Sequence, residues 1–192
     1  MGGYVGNAGA FLIETLLGLY ILIVLLRFML QWARADFYNP ISQFIVAVTN
    51  PPLLPLRRLI PGLFGIDVAS VVLLLALVML KVYLLAWLAG AHPNLVGVLV
   101  LAAGDLLKLV VYVFMFAIFV RVILSWVAPR SYHPGVNLVV SLSEPLMAPA
   151  RRLLPAIGGL DLSPVFAFLF LGLTLRLIVQ PIIDLGAGLA LS

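Results

Sequence analysis

Only two imidazoles, His92 and His133, occur in 192 residues, and cysteine is absent. Thiolate metal sites and disulfides are therefore ruled out, and a nitrogen-ligated metal or haem would need both histidines together. The hydropathy pattern described below puts them on opposite sides of a membrane, and His133 reads more simply as a helix-entry residue. No Ser–His–acid set, phosphate-cradling glycine loop or His/Cys cluster is present, so neither enzymatic chemistry nor a cofactor is expected. Charge is what remains. Arginines stand in adjacent pairs, Arg57-Arg58 and Arg151-Arg152, each inside the frame Pro-X-Arg-Arg-Leu-X-Pro at 55–61 and 149–155. A guanidinium is a planar fork that matches phosphate or carboxylate through two hydrogen bonds. The pairs either only set membrane topology and hold anionic lipid headgroups, or form a docking surface for a partner protein or specific lipid. The repeated proline frame favours docking, since topology alone does not require it.

A second set of charges lies within long apolar runs: Glu14, Lys81, Asp105, Lys108, Arg176 and Asp184, three acidic and three basic, with Arg27 and Arg121 further along the same runs. Charges at membrane depth are costly and pair in the bundle interior or line a pathway. An interior salt-bridge network is expected, with Glu14 paired to Lys108 first and Lys81 second. The alternative is an ion or proton path. Lys81 and Arg176 are the deepest of the set, which disfavours a cation path through one chain and leaves an oligomeric pore as the transport variant.

These side chains must be carried by membrane helices. Apolar residues make up 65% of the chain and charged residues 9%, with mean hydropathy +1.26. A chain this short cannot bury so much apolar surface in one aqueous core, so lipid must cover the rest. The formal net charge is +4; the basic residues sit between apolar runs, so anionic headgroups rather than nucleic acid are the expected counter-charge. About 20 apolar residues span a bilayer, and 11–33, 68–88, 105–127 and 162–185 qualify. The first run has no basic residue before it, as a cleaved signal would require, and reads as a retained span. Apolar character from Leu95 to Val127 exceeds one membrane thickness, so that helix either protrudes and tilts or breaks at Gly104.

Shifted by 94 positions, the sequence matches itself without gaps. Between 27–70 and 121–164, 14 of 44 positions are identical, among them Arg27/Arg121, Trp32/Trp126, Tyr38/Tyr132, both Pro-X-Arg-Arg-Leu-X-Pro runs and Asp67/Asp161. Such density indicates duplication. Each repeat (11–88 and 105–185) holds two spans and a connection (34–66 and 128–160). An even number of spans makes the repeats parallel, related by a pseudo-two-fold axis along the membrane normal, with both connections on one side. The connections hold six arginines, while the link around His92 and both tails hold no Lys or Arg. The connections are thus expected in the cytoplasm, with N- and C-termini outside and Trp32 and Trp126 at the cytoplasmic interface.

Within the first connection, Asn39-Pro40 suits a helix start, and Ile41, Phe44, Ile45 and Val48 fall on one face. Leu138, Val139 and Leu142 do so in the second. Pro51-Pro52 and Pro145 are expected to end these helices, and the arginine frames to form a further turn, giving an amphipathic hairpin in the interface plane. The parallel repeats would bring all four arginines together around the axis. Asp67 and Asp161 read as N-caps of the following spans.

Together the Arg27/Arg121 and Trp32/Trp126 pairs, Tyr38-Asn39-Pro40, the two arginine frames and the closing Gly-X-Asp resemble the YggT (YlmG) family over about residues 10–185. The resemblance implies a four-span bacterial inner-membrane protein, with relatives tied to osmotic-shock tolerance and potassium uptake, to cell or plastid division, and to plastid cytochrome maturation. The expected fold is all-α: four spans in two parallel repeats, each with a cytoplasmic interfacial amphipathic hairpin. The leading functional expectation is a non-catalytic assembly or scaffold factor that meets anionic lipid and a membrane-protein partner or another copy of itself. Potassium transport in the osmotic response is the competing one.

Overall fold

Apolar runs with few internal breaks become helices throughout. In the computed structural model the elements are α1 (Gly2–Trp32), α2 (Pro40–Leu59), α3 (Val68–Leu88), α4 (Leu95–Val127), α5 (Pro134–Leu153), α6 (Ser163–Thr174) and α7 (Gln180–Leu191); a π-helical turn, Leu175–Val179, fuses the last two. The structure describes residues 2–63, 65–127, 133–153 and 161–191. Four stretches are long and apolar enough to cross a membrane: Gly3–Trp32, Val68–Leu88, Leu95–Val127 and Ser163–Ala190. The chain is an all-α polytopic membrane protein. The first and last spans run past their expected limits at Phe11 and Leu185, because the small and apolar residues flanking them continue the helix.

In each repeat the two spans pack on each other and the amphipathic helix crosses them, α2 against α1 and α3, α5 against α4 and α6. A single core runs through both repeats. Ile21, Val24, Leu25 and Met29 of α1 belong to it, as do Leu74 and Val78 of α3, Ala117 and Ile118 of α4, Leu53 of α2 and Met147 of α5. Large apolar side chains such as Phe11, Leu16, Phe116, Phe119 and Leu169 stay exposed on the outside, as lipid-facing positions do.

Helix α4 is unbroken, so Gly104 is not a hinge. It serves close packing instead: a Cβ there would lie 2.7 Å from the Ile183 side chain. At Gly97 a Cβ would stand 2.1 Å from the Ala190 backbone nitrogen, and at Gly186 2.4 Å from that of Leu101. Glycine lets α4 and α7 touch backbone to backbone, the usual device where lipid supplies no hydrophobic drive.

Each expected hairpin is one 20-residue helix. Prolines 51, 52 and 55 lie inside α2, and prolines 145 and 149 inside α5. Proline removes an N–H and disfavours a helix interior, yet its fixed φ is helical. Here both sides of the proline segment are tied to the spans, and that tertiary tie overrides the local preference. The expected apolar face also divides. Ser42, Ile45, Thr49 and Leu53 face inward on α2, while Ile41 and Phe44 remain exposed. On α5, Leu138 and Leu142 are buried and Val139 is partly so, as the pattern suggested.

The starts of α2 and α5 meet. Asn39 caps α2 by accepting the Ile41 N–H at 2.9 Å, and its Nδ2 donates to the Pro134 carbonyl at 2.8 Å, across the repeats. His133 accepts the Gly135 N–H at 3.2 Å and so does enter α5 as a capping group. The starts of the two connections therefore join across the repeats, whereas their arginine ends lie about 25 Å of helix further on.

Candidate functional site

Arginine within a span needs oxygens to hold it. Arg27 is 6% exposed, and its Nη1 donates to Thr49 Oγ1 at 2.7 Å, Asn50 Oδ1 at 2.9 Å and the Val46 carbonyl at 3.3 Å. All three acceptors are on α2, just before Pro51. The guanidinium thus pins the amphipathic helix to the first span where the prolines begin to remove backbone donors. In the second repeat Arg121 Nη1 donates to Ser143 Oγ at 3.0 Å and to Glu144 Oε2 at 2.7 Å. The geometry repeats, with Thr49/Ser143 supplying hydroxyls and Asn50/Glu144 supplying the terminal oxygen.

Within each adjacent arginine pair the two members part. Arg57 Nη2 donates to Asp67 Oδ2 at 2.5 Å and to Gln31 Oε1 at 3.1 Å, locking the end of α2 to the entry of α3 and to α1. Arg151 instead forms a short ion pair with the second oxygen of Glu144. Arg58 and Arg152 are exposed and carry none of the ion pairs found among the described residues. Among the described residues every hydrogen-bond partner of Arg57 and of Arg151 lies in its own repeat.

Asp67 is the N-cap of α3, accepting the Ser70 N–H at 3.3 Å as well as the Ser70 hydroxyl. Burial pushes its carboxyl up, but the hydrogen bonds from Arg57 and Ser70 outweigh that and hold it below the ordinary carboxylate range. Asp161 stands one residue ahead of the cap position, which Leu162 fills, yet it still accepts the Ser163 N–H at 2.9 Å. Pro155, Gly159, Arg130 and Tyr132 lie outside the described residues.

The expected network in the outer half does not form. Among the described residues Glu14, Lys81, Asp105, Lys108, Arg176 and Asp184 make no ion pair. Glu14 is exposed on α1. It is 18 residues before Trp32, about 27 Å of helix, which reaches the far edge of a hydrocarbon core and removes the need for a buried partner. Asp184 accepts a hydrogen bond from Gln180 at 2.8 Å along its own helix. Lys81, Asp105 and Lys108 do converge, lining a cavity of about 230 Å³ between α1, α3 and α4; Lys108 also lines a neighbouring cavity with Arg176. Trp32 and Trp126 are 53% and 81% exposed, the former meeting Phe114 edge-on at 6.3 Å between ring centroids.

Sequence reasoning missed Gln31, Thr49, Asn50, Ser143 and Glu144, and read Asp67 only as a cap. A signal was present. An arginine repeated inside a span demands an acceptor, and a hydroxyl followed by a polar residue recurs on the buried face of each connection.

A family model described as CCB3/YggT matches twice, over residues 6–88 and 100–182. The chain is 51% identical over 176 residues to an uncharacterized protein of Pseudomonas aeruginosa, covering 91% of this chain and 89% of that one. It is 40% identical over 167 residues to the uncharacterized protein YggT of Escherichia coli K12, covering 86% of each. With the uncharacterized protein ycf19 of Galdieria sulphuraria it shares 30% identity over 74 residues, about the length of one repeat, which is 38% of this chain but 76% of that protein. No solved structure matches.

Proposed function

Starting from the fact that this chain belongs to the CCB3/YggT family, we propose that it is a non-catalytic membrane scaffold that presents two anchored amphipathic helices to a membrane-protein partner and anionic headgroups. The observation that carries this reading is the division of labour in the arginine pairs. Arg57 ties its helix to both spans and Arg151 is held by Glu144, whereas Arg58 and Arg152 stand exposed beside Leu59 and Leu153, themselves 81% and 66% exposed. A cation next to an exposed leucine on a held helix end suits an anionic, part-apolar surface. Six arginines in the connections against none in the outer segments orient these ends to the cytoplasm of a bacterial inner membrane, with both termini outside. Reporter fusions near Asn50 and Ser141 should read inside, and those near Asn94 and at Ser192 outside.

The test is a photo-crosslinking residue at Leu59 or Leu153 in living cells. A discrete adduct that disappears in R58A/R152A, at unchanged membrane abundance, supports the reading. Adducts to lipid alone, or to the same protein with and without the arginines, overturn the partner half of it. The competing reading, a component of potassium transport or osmotic tolerance, has the charged cavity of Lys81, Asp105 and Lys108 to draw on, and its two lysines to one carboxylate disfavour a cation there. It requires that purified protein in liposomes change potassium flux.

A further inference from the structure

A second cavity lies at the other end of the first repeat, between α1 and α2, with a volume of about 300 Å³. Its polar side chains can all donate. Arg27 and Arg57 bring guanidinium groups, Gln31 brings an amide, and Ser42 brings a hydroxyl. The Ser42 hydroxyl is fully buried and has no hydrogen-bond partner among the described residues. Arg27 uses only Nη1 on the protein, to neutral oxygens, and its Nε and Nη2 make no hydrogen bond among those residues. A guanidinium has five N–H donors, so these two nitrogens of Arg27 are left for a further acceptor. Phe37 and Ile45 supply apolar wall beside this cluster.

The second repeat answers what the first one lacks. There Glu144 bridges Arg121 and Arg151 with its two carboxylate oxygens. Asn50 stands at the matching position in the first repeat, and Val136 stands where Ser42 does. Glu144 thus acts as a built-in oxyanion between the two arginines. In the first repeat the same pair of arginines faces a cavity, Asp67 pairs with Arg57, and Arg27 makes no ion pair among the described residues.

We propose that the cavity between α1 and α2 binds a phosphate oxyanion, filling between Arg27, Arg57 and Ser42 the role that the Glu144 carboxylate fills in the second repeat. Bidentate arginine contacts suit its planar pairs of oxygens. The phosphate can come from an anionic phospholipid headgroup, whose chains would continue along Phe37 and Ile45, or from free phosphate. This inference goes beyond the scaffold reading and concerns different side chains from Arg58 and Arg152.

Purified full-length protein in detergent decides it by native mass spectrometry and thermal melting, with dioleoylphosphatidylglycerol, dioleoylglycerol and inorganic phosphate as probes. Phosphatidylglycerol should bind saturably and raise the melting temperature, while dioleoylglycerol should do neither. Asn50→Glu, which installs the carboxylate of the second repeat and keeps an acceptor for Arg27, should melt at or above the wild-type temperature and bind at least tenfold more weakly. If inorganic phosphate alone reproduces the stabilisation with the same sensitivity, the oxyanion site stands and its ligand is soluble phosphate. Should Asn50→Glu not fold, Ser42→Val tests the same cavity without altering charge, and a several-fold loss of affinity is expected. Undiminished binding in a folded Asn50→Glu or Ser42→Val protein, or no saturable binding by the wild type, overturns the proposal.

Discussion

In the first repeat Arg27 ends on three neutral oxygens of α2, and the anion of the region, Asp67, stands at the entry to α3 and takes Arg57. In the second, one carboxylate on α5 itself, Glu144, takes both Arg121 and Arg151, and Asp161 is left to cap Ser163. The arginines occupy the same register in both copies, but the anion has moved from the second span to the amphipathic helix. Tying α2 to α3 through Arg57–Asp67 joins two elements that α5 and α6 do not join in that way. The first repeat is braced from α2 to both of its spans and has an open cavity; in the second, Glu144 ties α5 to α4 through Arg121 and to the end of its own helix through Arg151. The outer ends differ in the opposite sense, since glycine-mediated contact joins α4 to α7, while a Cβ at Gly3, the position matching Gly97, would meet nothing within 4 Å.

That outer contrast predicts the largest effect. Gly97→Ala forces a Cβ onto the Ala190 backbone, where neither chain can yield without separating the helices. Overpacking of this kind should cost about 3 kcal/mol. Gly3→Ala should change stability by less than about 0.5 kcal/mol. Thermal melting of the two variants in detergent measures the contrast, and equal tolerance would mean that α4 and α7 do not touch as described.

The arginine anchors come next. Arg27→Met removes charged hydrogen bonds from a site that is 6% exposed, and should cost about 2–3 kcal/mol. Arg121→Met leaves Glu144 its ion pair with Arg151 in a partly exposed setting, and should cost about 1 kcal/mol. Limited proteolysis within α2 should rise in the first variant and much less within α5 in the second. If the order is reversed, the more deeply buried anchor is Arg121 and not Arg27.

The Arg57–Asp67 brace adds a pH signature. Because the folded Asp67 carboxyl titrates below its ordinary value, its stabilisation is complete above about pH 4, the range of an unperturbed aspartate, and fades as pH falls through the lower folded value. Asp67→Asn should cost about 1 kcal/mol near neutrality and remove that share of the acid loss. Melting curves collected from pH 3 to pH 7 on both proteins would expose a missing difference.

Spans, duplication and helix starts were legible because each rests on local chemistry: apolar length, a repeated string, an asparagine before a proline. What escaped was set by distance in space. The prolines of α2 and α5 speak for a break at 51 and 145, but packing on the spans and the arginine anchors from them hold both helices across these points. Glu14 and Lys108 match in depth and oppose in charge, which suggested a pair, but register along a helix says nothing about azimuth, and Glu14 faces outward. Glu144 was passed over for a related reason, although the hydroxyl before it recurs. It replaces a neutral residue in the other repeat, so a search for what the copies share passes over it.

The smallest effect separates neighbours in sequence. Arg57 and Arg58 are adjacent, so on a helix their side chains diverge by about 100°, and only Arg57 can face Asp67 and Gln31. The same rotation turns Arg151 toward Glu144 and leaves Arg152 outward. Arg58→Ala and Arg152→Ala should therefore stay within about 0.5 kcal/mol of the wild type, the range of surface changes that touch nothing. Arg57→Ala should cost about 1 kcal/mol, because it frees a buried carboxylate from its ion pair. Arg151→Ala should fall between, since Glu144 retains Arg121. Four single variants melted side by side give this order directly. Equal losses at 57 and 58 would show that the pair acts as a unit and that the exposed member is held after all. An intact fold with Arg58 and Arg152 removed is also the condition under which their loss can report on a partner rather than on stability, so this measurement fixes how the crosslinking result is to be read.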